Sequence, residues 1–103
     1  LEYLDEAKRN LFREWLEVLR DREARARIRV RINRLRLGDF GDCKALGRGV
    51  HELRIDYGPG YRVYFGRQGE KIVILLCGGD KRTQSGDIEH AQVRWQEYLR
   101  RSE

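Results

Sequence analysis

The 103-residue sequence contains no methionine, one proline and two cysteines. Position 1 is Leu1, so leading residues are expected to be missing and the first element to be incomplete. Cys43 and Cys77 form no C-x-x-C pair, which argues against structural zinc or a redox couple and for two reduced thiols. His51 and His90 are far apart and no H-E-x-x-H is present, so no metal site is expected and both read as surface or hydrogen-bonding residues. Neither the G-x-x-x-x-G-K-[ST] phosphate loop nor the G-x-G-x-x-G fingerprint occurs, which argues against ATP- and NAD-type sites; no cofactor is expected. Cys77 closes an apolar strand with no adjacent base, a setting for packing rather than for a nucleophile. No apolar run reaches the roughly 18 residues needed to span a bilayer, and the start lacks the basic-then-apolar order of a signal peptide, so a cytoplasmic protein is expected.

Positive charge is abundant. Lys and Arg total 22 against 17 Asp and Glu, a net charge of +5, and the pI is near 9.6. Such a surface attracts polyanions and favours a nucleic-acid partner. Charged residues make up 38% and the mean hydropathy is -0.78, values that approach a disordered composition. The apolar residues are nevertheless arranged in periodic or continuous runs, which predicts one folded domain over 1–103.

Leu1–Leu4 reads as the remnant of a strand. Asn10 is a good N-cap for a helix over Leu11–Arg20, whose Leu11, Phe12, Trp15, Leu16 and Leu19 mark one buried face. A second helix is predicted over Glu23–Leu37, with Ala24, Ile28, Ile32 and Leu35 inside and Gly38 as C-terminal cap. Its arginines are denser than on an ordinary solvated helix and suit either a soluble face or a ridge that touches RNA or acidic partner segments. Gly38–Gly49 reads as a loop carrying Lys44. Strands follow at His51–Tyr57, Tyr61–Arg67 and Lys71–Cys77, separated by Gly58-Pro59-Gly60 and Gln68-Gly69-Glu70, an antiparallel meander. The third is apolar on both faces, which predicts a central position under helical cover. A final helix begins near Ser85. The fold class is therefore α+β: a small, mainly antiparallel sheet packed by an N-terminal helical hairpin, with a C-terminal helix.

Alternation places Glu52, Arg54 and Asp56 on one face of the first strand and Arg62 and Tyr64 on the like face of the second, which makes Arg54 and Arg62 neighbours. The third strand ends in Cys77-Gly78-Gly79-Asp80-Lys81-Arg82-Thr83-Gln84, where glycines admit a ligand to the backbone and two cations follow. A shallow sheet face carrying Arg54, Arg62, Lys81 and Arg82 can hold an RNA phosphate and stabilise the charge that develops as the neighbouring 2′-hydroxyl attacks it. Such cleavage requires neither a metal nor a protein nucleophile and leaves a 2′,3′-cyclic phosphate and a 5′-hydroxyl.

Glu52-Leu53-Arg54-Ile55-Asp56-Tyr57-Gly58-Pro59-Gly60-Tyr61-Arg62-Val63-Tyr64-Phe65 and Leu75-Leu76-Cys77-Gly78-Gly79-Asp80-Lys81-Arg82-Thr83-Gln84, with Asp87-Ile88, resemble the HigB-like addiction module killer branch of the RelE/ParE toxin superfamily. The resemblance extends to Trp15-Leu16, Arg34-Leu35 and Gly38-Asp39-Phe40-Gly41-Asp42 with Lys44, nearly the whole chain. It implies a RelE-like fold, cleavage of messenger RNA commonly on the ribosome, and silencing by a cognate antitoxin, usually a helix-turn-helix protein, in a toxin–antitoxin hetero-oligomer. Arg62 matches the G-Y-R arginine at the scissile phosphate, Arg54 a cation on the preceding strand, and Lys81 or Arg82 the basic residue after the last core strand. Lys44, Tyr64, Thr83 and Gln84 are the expected RNA contacts.

The tyrosine that some RelE toxins carry after that basic residue falls here near Ile88. That leaves two roles open for Glu52: general base, as a glutamate is in some relatives, or structural partner of Arg54 or Arg62. The resemblance leaves two alternatives: a ParE-like DNA gyrase inhibitor, which shares the fold but lacks the converging cations that Arg54, Arg62, Lys81 and Arg82 provide here, and a non-catalytic module that docks RNA or antitoxin.

Overall fold

The computed structural model describes residues 8–78 and 83–101, without the side chains of Leu76 and Cys77. The strand expected at Leu1–Leu4 lies outside the described residues.

Helix α1 spans Leu11–Val18 and begins as expected, with the Asn10 side chain accepting a hydrogen bond from Arg13 N at 2.9 Å. It stops two residues before Arg20, because Leu19 turns extended and leads the chain to Asp21, the cap of the next helix. Helix α2, Arg22–Arg36, starts with the Asp21 carboxylate accepting from Glu23 N and Ala24 N. It ends where Leu37 leaves the helix, and Gly38 follows in the left-handed region at φ 91°.

Four antiparallel strands come next in the spatial order β1-β2-β3-β4: β1 Cys43–Gly47, β2 Val50–Ile55, β3 Tyr61–Gln68 and β4 Lys71–Gly78. Strand β1 replaces part of the expected loop. Its Cys-Lys-Ala-Leu-Gly has no apolar alternation and is largely exposed; it is a strand because it pairs with the open edge of β2, Lys44 opposite Glu52. Helix α3, Gln84–Arg101, begins one residue before Ser85.

The sheet separates two apolar clusters. On one side α1 and α2 bury Phe12, Leu16, Ile28 and Leu35 against Leu53, Val63, Phe65 and Ile74. On the other, Ala91 and Trp95 of α3 cover Val50, Tyr64, Val73 and Leu75. Strand β4 thus needs two apolar faces, as its sequence indicates, since Ile72 and Ile74 face the hairpin while Val73 and Leu75 face α3. Among the described residues it is the last strand of the sheet rather than a central one. Trp15 packs edge-on against Tyr61, ring centroids 5.8 Å apart, a core position as expected. Trp95 lies over Gly66, where a Cβ would run into its ring. Among the described residues no helix is long and apolar enough to cross a membrane.

Candidate functional site

Strand pairing sets Arg54 directly opposite Arg62, and Arg62 opposite Gly78 on β4. One rung away Lys44, Glu52 and Tyr64 share a row across β1, β2 and β3. Side chains on adjacent rungs of one face are close enough to interact, and here Glu52 is the hub. Its Oε1 accepts from Arg54 Nε at 2.8 Å and lies 3.6 Å from Arg62 Nε, while its Oε2 accepts from Gln84 Nε2 at 3.0 Å. Glu52 is wholly buried, the Arg62 side chain is 14% exposed and the Arg54 side chain 43%.

The burial of Glu52 does not follow from a strand whose polar face reads as open. Val50, Tyr64, Val73 and Leu75 share that face and require apolar cover, which α3 supplies; the cover brings Gln84 onto the carboxylate. A buried carboxylate is stable only when paired and hydrogen-bonded, and Glu52 meets both conditions. The hydrogen bond from Arg54 to Glu52, and then the carboxylate's charge, raise the Arg54 guanidinium above its ordinary value, so it remains a cation at any physiological pH. Arg62 Nη1 donates to Gly60 O at 3.4 Å, and its Nε is buried with no hydrogen-bond partner, facing Glu52 at ion-pair distance.

Arg54 and Arg62 border an open depression of about 220 Å³, together with Asp42, Asp56, Gly60 and Tyr61. It admits a phosphate group, and the two acids on its rim moderate the positive field. Asp56, expected on the strand face, lies just past the end of β2 and is exposed.

The remaining expected site residues divide. Lys44 is exposed on the edge strand, on the Glu52 row. Lys81 and Arg82 lie outside the described residues. Thr83 and Gln84, expected as RNA contacts, are engaged within the protein: Thr83 Oγ1 donates to Asp87 Oδ2 at 3.0 Å, and Gln84 holds Glu52. Tyr64, also expected as an RNA contact, is 0% exposed in the α3 cluster; a ring that large on the covered face of β3 is drawn under Trp95 and Ala91.

Asp87 belongs to the residues that carry the resemblance but is assigned no site role there, and the fold gives it one. Its carboxylate lies over Gly78, where a Cβ would come within 2.5 Å of Oδ2, so glycine opposite Arg62 makes room for an acid from α3. A sequence signal does exist: Asp87 sits one helical turn after Thr83, a spacing that lets the two hydrogen-bond. His51 is half-buried and stacked on Phe65 at 5.2 Å, and His90 is exposed on α3. Among the described residues no three His, Cys, Asp or Glu side chains are grouped to hold a metal ion.

Comparison with known proteins is consistent with this frame. A Haemophilus influenzae protein described only as uncharacterized is 52% identical over 86 residues, covering 84% of this chain and 87% of that one. No solved structure matches the chain. The family described as "Phage derived protein Gp49-like (DUF891)" matches residues 14–96, which include the helical hairpin, the sheet, the arginine pair and most of α3. The chain therefore belongs to the Gp49-like phage-derived protein family, within the RelE/HigB-like toxins of toxin–antitoxin systems.

Proposed function

We propose that this protein is a type II toxin that cuts messenger RNA without a metal, acts on the ribosome to stop translation, and is silenced by an antitoxin of helix-turn-helix type. The observation that carries the reading is the side-by-side placement of Arg54 and Arg62, both tied to buried Glu52, at the rim of an open depression. Two fixed guanidiniums suit the non-bridging oxygens of one phosphate, and a charge held in place before reaction needs no reorganisation during it.

In the proposed reaction the ribose 2′-oxygen attacks the adjacent phosphorus, an O2′–P bond forms and the P–O5′ bond breaks. Water in the open depression takes the 2′ proton and water returns one to the departing 5′-oxygen, giving a 2′,3′-cyclic phosphate and a 5′-hydroxyl. Arg62 and Arg54 neutralise the phosphate as charge accumulates on it; Lys81 and Arg82 add cations from the segment before α3. Glu52 is assigned to holding the arginines rather than to proton transfer, because its oxygens already accept from Arg54 and Gln84 and face Arg62. Lys44 extends the RNA contact along the β1 edge.

The test is induction in cells followed by primer extension. Growth should stop and transcripts should acquire new ends that a polynucleotide kinase labels without prior phosphatase treatment, while Arg62→Ala removes both effects and keeps the fold by circular dichroism. Intact transcripts together with inhibited gyrase supercoiling would refute the nuclease reading and support a gyrase poison.

A further inference from the structure

Helix α2 carries two separate rows of arginine. At about 100° per residue, Arg27, Arg31 and Arg34 lie on one flank, and each is engaged: Arg27 pairs with Glu23 at 3.0 Å, Arg34 with Asp39 at 3.7 Å, and Arg31 Nη2 donates to Phe40 O at 3.4 Å. This row borders a groove with Arg54 and the end of β2. Arg22, Arg25, Arg29 and Arg36 fall within about 60° of one another on the other flank, with no acid of α2 among them. Among the described residues the side chains of Arg22, Arg25 and Arg29 have no hydrogen-bond or ion-pair partner. Arg29 and Arg36 face Arg13 of α1 across a cleft of about 240 Å³, which Glu17 also lines.

We infer that this second row is a docking rail for the phosphate backbone of double-helical RNA, distinct from the cleavage site. Like charges three and four residues apart destabilise a helix, and among the described residues no acid of α2 shares the flank of Arg22, Arg25 and Arg29, so these three suit an anionic partner supplied from outside. From Arg22 to Arg36 it extends about 21 Å at 1.5 Å per residue, enough to meet several successive phosphates. Single-strand binders add exposed rings on which bases stack, and among the described residues this cleft offers none: Phe12, which lines it, is 5% exposed. A straight row of cations without a stacking ring fits a duplex, which is recognised through shape and phosphates. The rail lies on the hairpin side of the sheet, whereas Glu52 and its partners lie on the α3 side. The choice of RNA rests on the proposed nuclease function, and the experiment separates the two.

The probes are a 2′-O-methyl RNA hairpin, which cannot be cut by 2′-oxygen attack, and a short unstructured RNA substrate. The triple variant Arg22→Gln, Arg25→Gln, Arg29→Gln should lower hairpin affinity at least tenfold at 0.1 M salt and flatten the plot of log K against log salt by about two to three, near 0.9 for each phosphate no longer neutralised. It should cut the short RNA at the wild-type rate. Arg29→Gln alone should lose about a third of the slope change, which keeps the test independent of how the triple variant folds. Arg62→Ala should show the opposite pattern, with hairpin binding retained and cutting abolished; failure of the wild type to cut the short RNA would sink the nuclease reading and leave the rail standing. Unchanged hairpin affinity and salt slope in the triple variant would overturn the rail, and so would unchanged hairpin binding together with failure to bind an acidic antitoxin.

Discussion

Replacing Glu52 by alanine and by glutamine separates a residue that holds the arginines from one that moves a proton. Glu52→Ala removes a fully buried carboxylate and leaves Arg62, with a side chain 14% exposed, as an unpaired charge. Breaking a buried ion pair from one side costs about 3–5 kcal/mol, and in a domain of this size each kcal/mol lowers Tm by about 4–8 °C. The alanine variant should therefore melt at least about 12 °C below wild type. Arg54 is solvated and should adjust with little effect on stability. Glu52→Gln keeps the shape: with its carbonyl toward the arginines, its amide can donate to Gln84 once that amide turns over, so the loss is charge rather than hydrogen bonds. Charged hydrogen bonds exceed neutral ones by about 1 kcal/mol each, which sets the glutamine cost near 1–2 kcal/mol. RNA cleavage is then measured across pH at a temperature where both variants are folded. The holding role predicts weakened but measurable cutting by the glutamine variant, with a pH–rate profile shaped like the wild type's. A glutamine variant as inactive as alanine, although it is folded at the assay temperature, would refute the reasoning and make Glu52 the proton acceptor.

Further outcomes follow from other parts of the fold. Gly66→Ala drives a methyl into the Trp95 ring and should destabilise by about 1–3 kcal/mol; combined with Trp95→Ala its added cost should largely disappear, as a four-member urea denaturation cycle would show. His51 is pushed below the ordinary imidazole value, first by burial and then by the Arg67 charge. The unfolded chain takes up its proton near pH 6.5 while the folded chain resists, so this contribution is present above about 6.5 and declines as pH falls toward the folded value. His51→Gln should reduce the loss of urea midpoint between pH 7.5 and pH 5. Burial raises the Cys43 thiol above its usual value, and its Sγ contacts Phe40 O at 2.8 Å. Peptide mapping after iodoacetamide at pH 7.5 should find Cys43 modified much more slowly in native than in urea-unfolded protein; equal rates would show that the thiol is open.

Local signals carried much of the architecture. Asn10 caps α1, Gly38 ends α2, and Ala24, Ile28, Ile32 and Leu35 form the buried stripe that their spacing requires, because each depends on residues within a turn or two along the chain. The two-sided apolar pattern of β4 correctly indicated cover and wrongly indicated a central place among the described strands, since a pattern records how many faces are buried and not which strands lie alongside. Strand β1 left no mark of its own; its extended shape comes from the free edge of β2.

The sequence alone determined that this is a basic α+β domain with Arg54 and Arg62 on one face of a hairpin, because a period of two residues and a short turn fix side and register together. Only the tertiary structure decided what that face became. The docking of α3 buried Tyr64 and Glu52 and brought Gln84 to the carboxylate across 32 residues of chain. Such a contact follows from how two surfaces pack, and no local pattern in either segment encodes it.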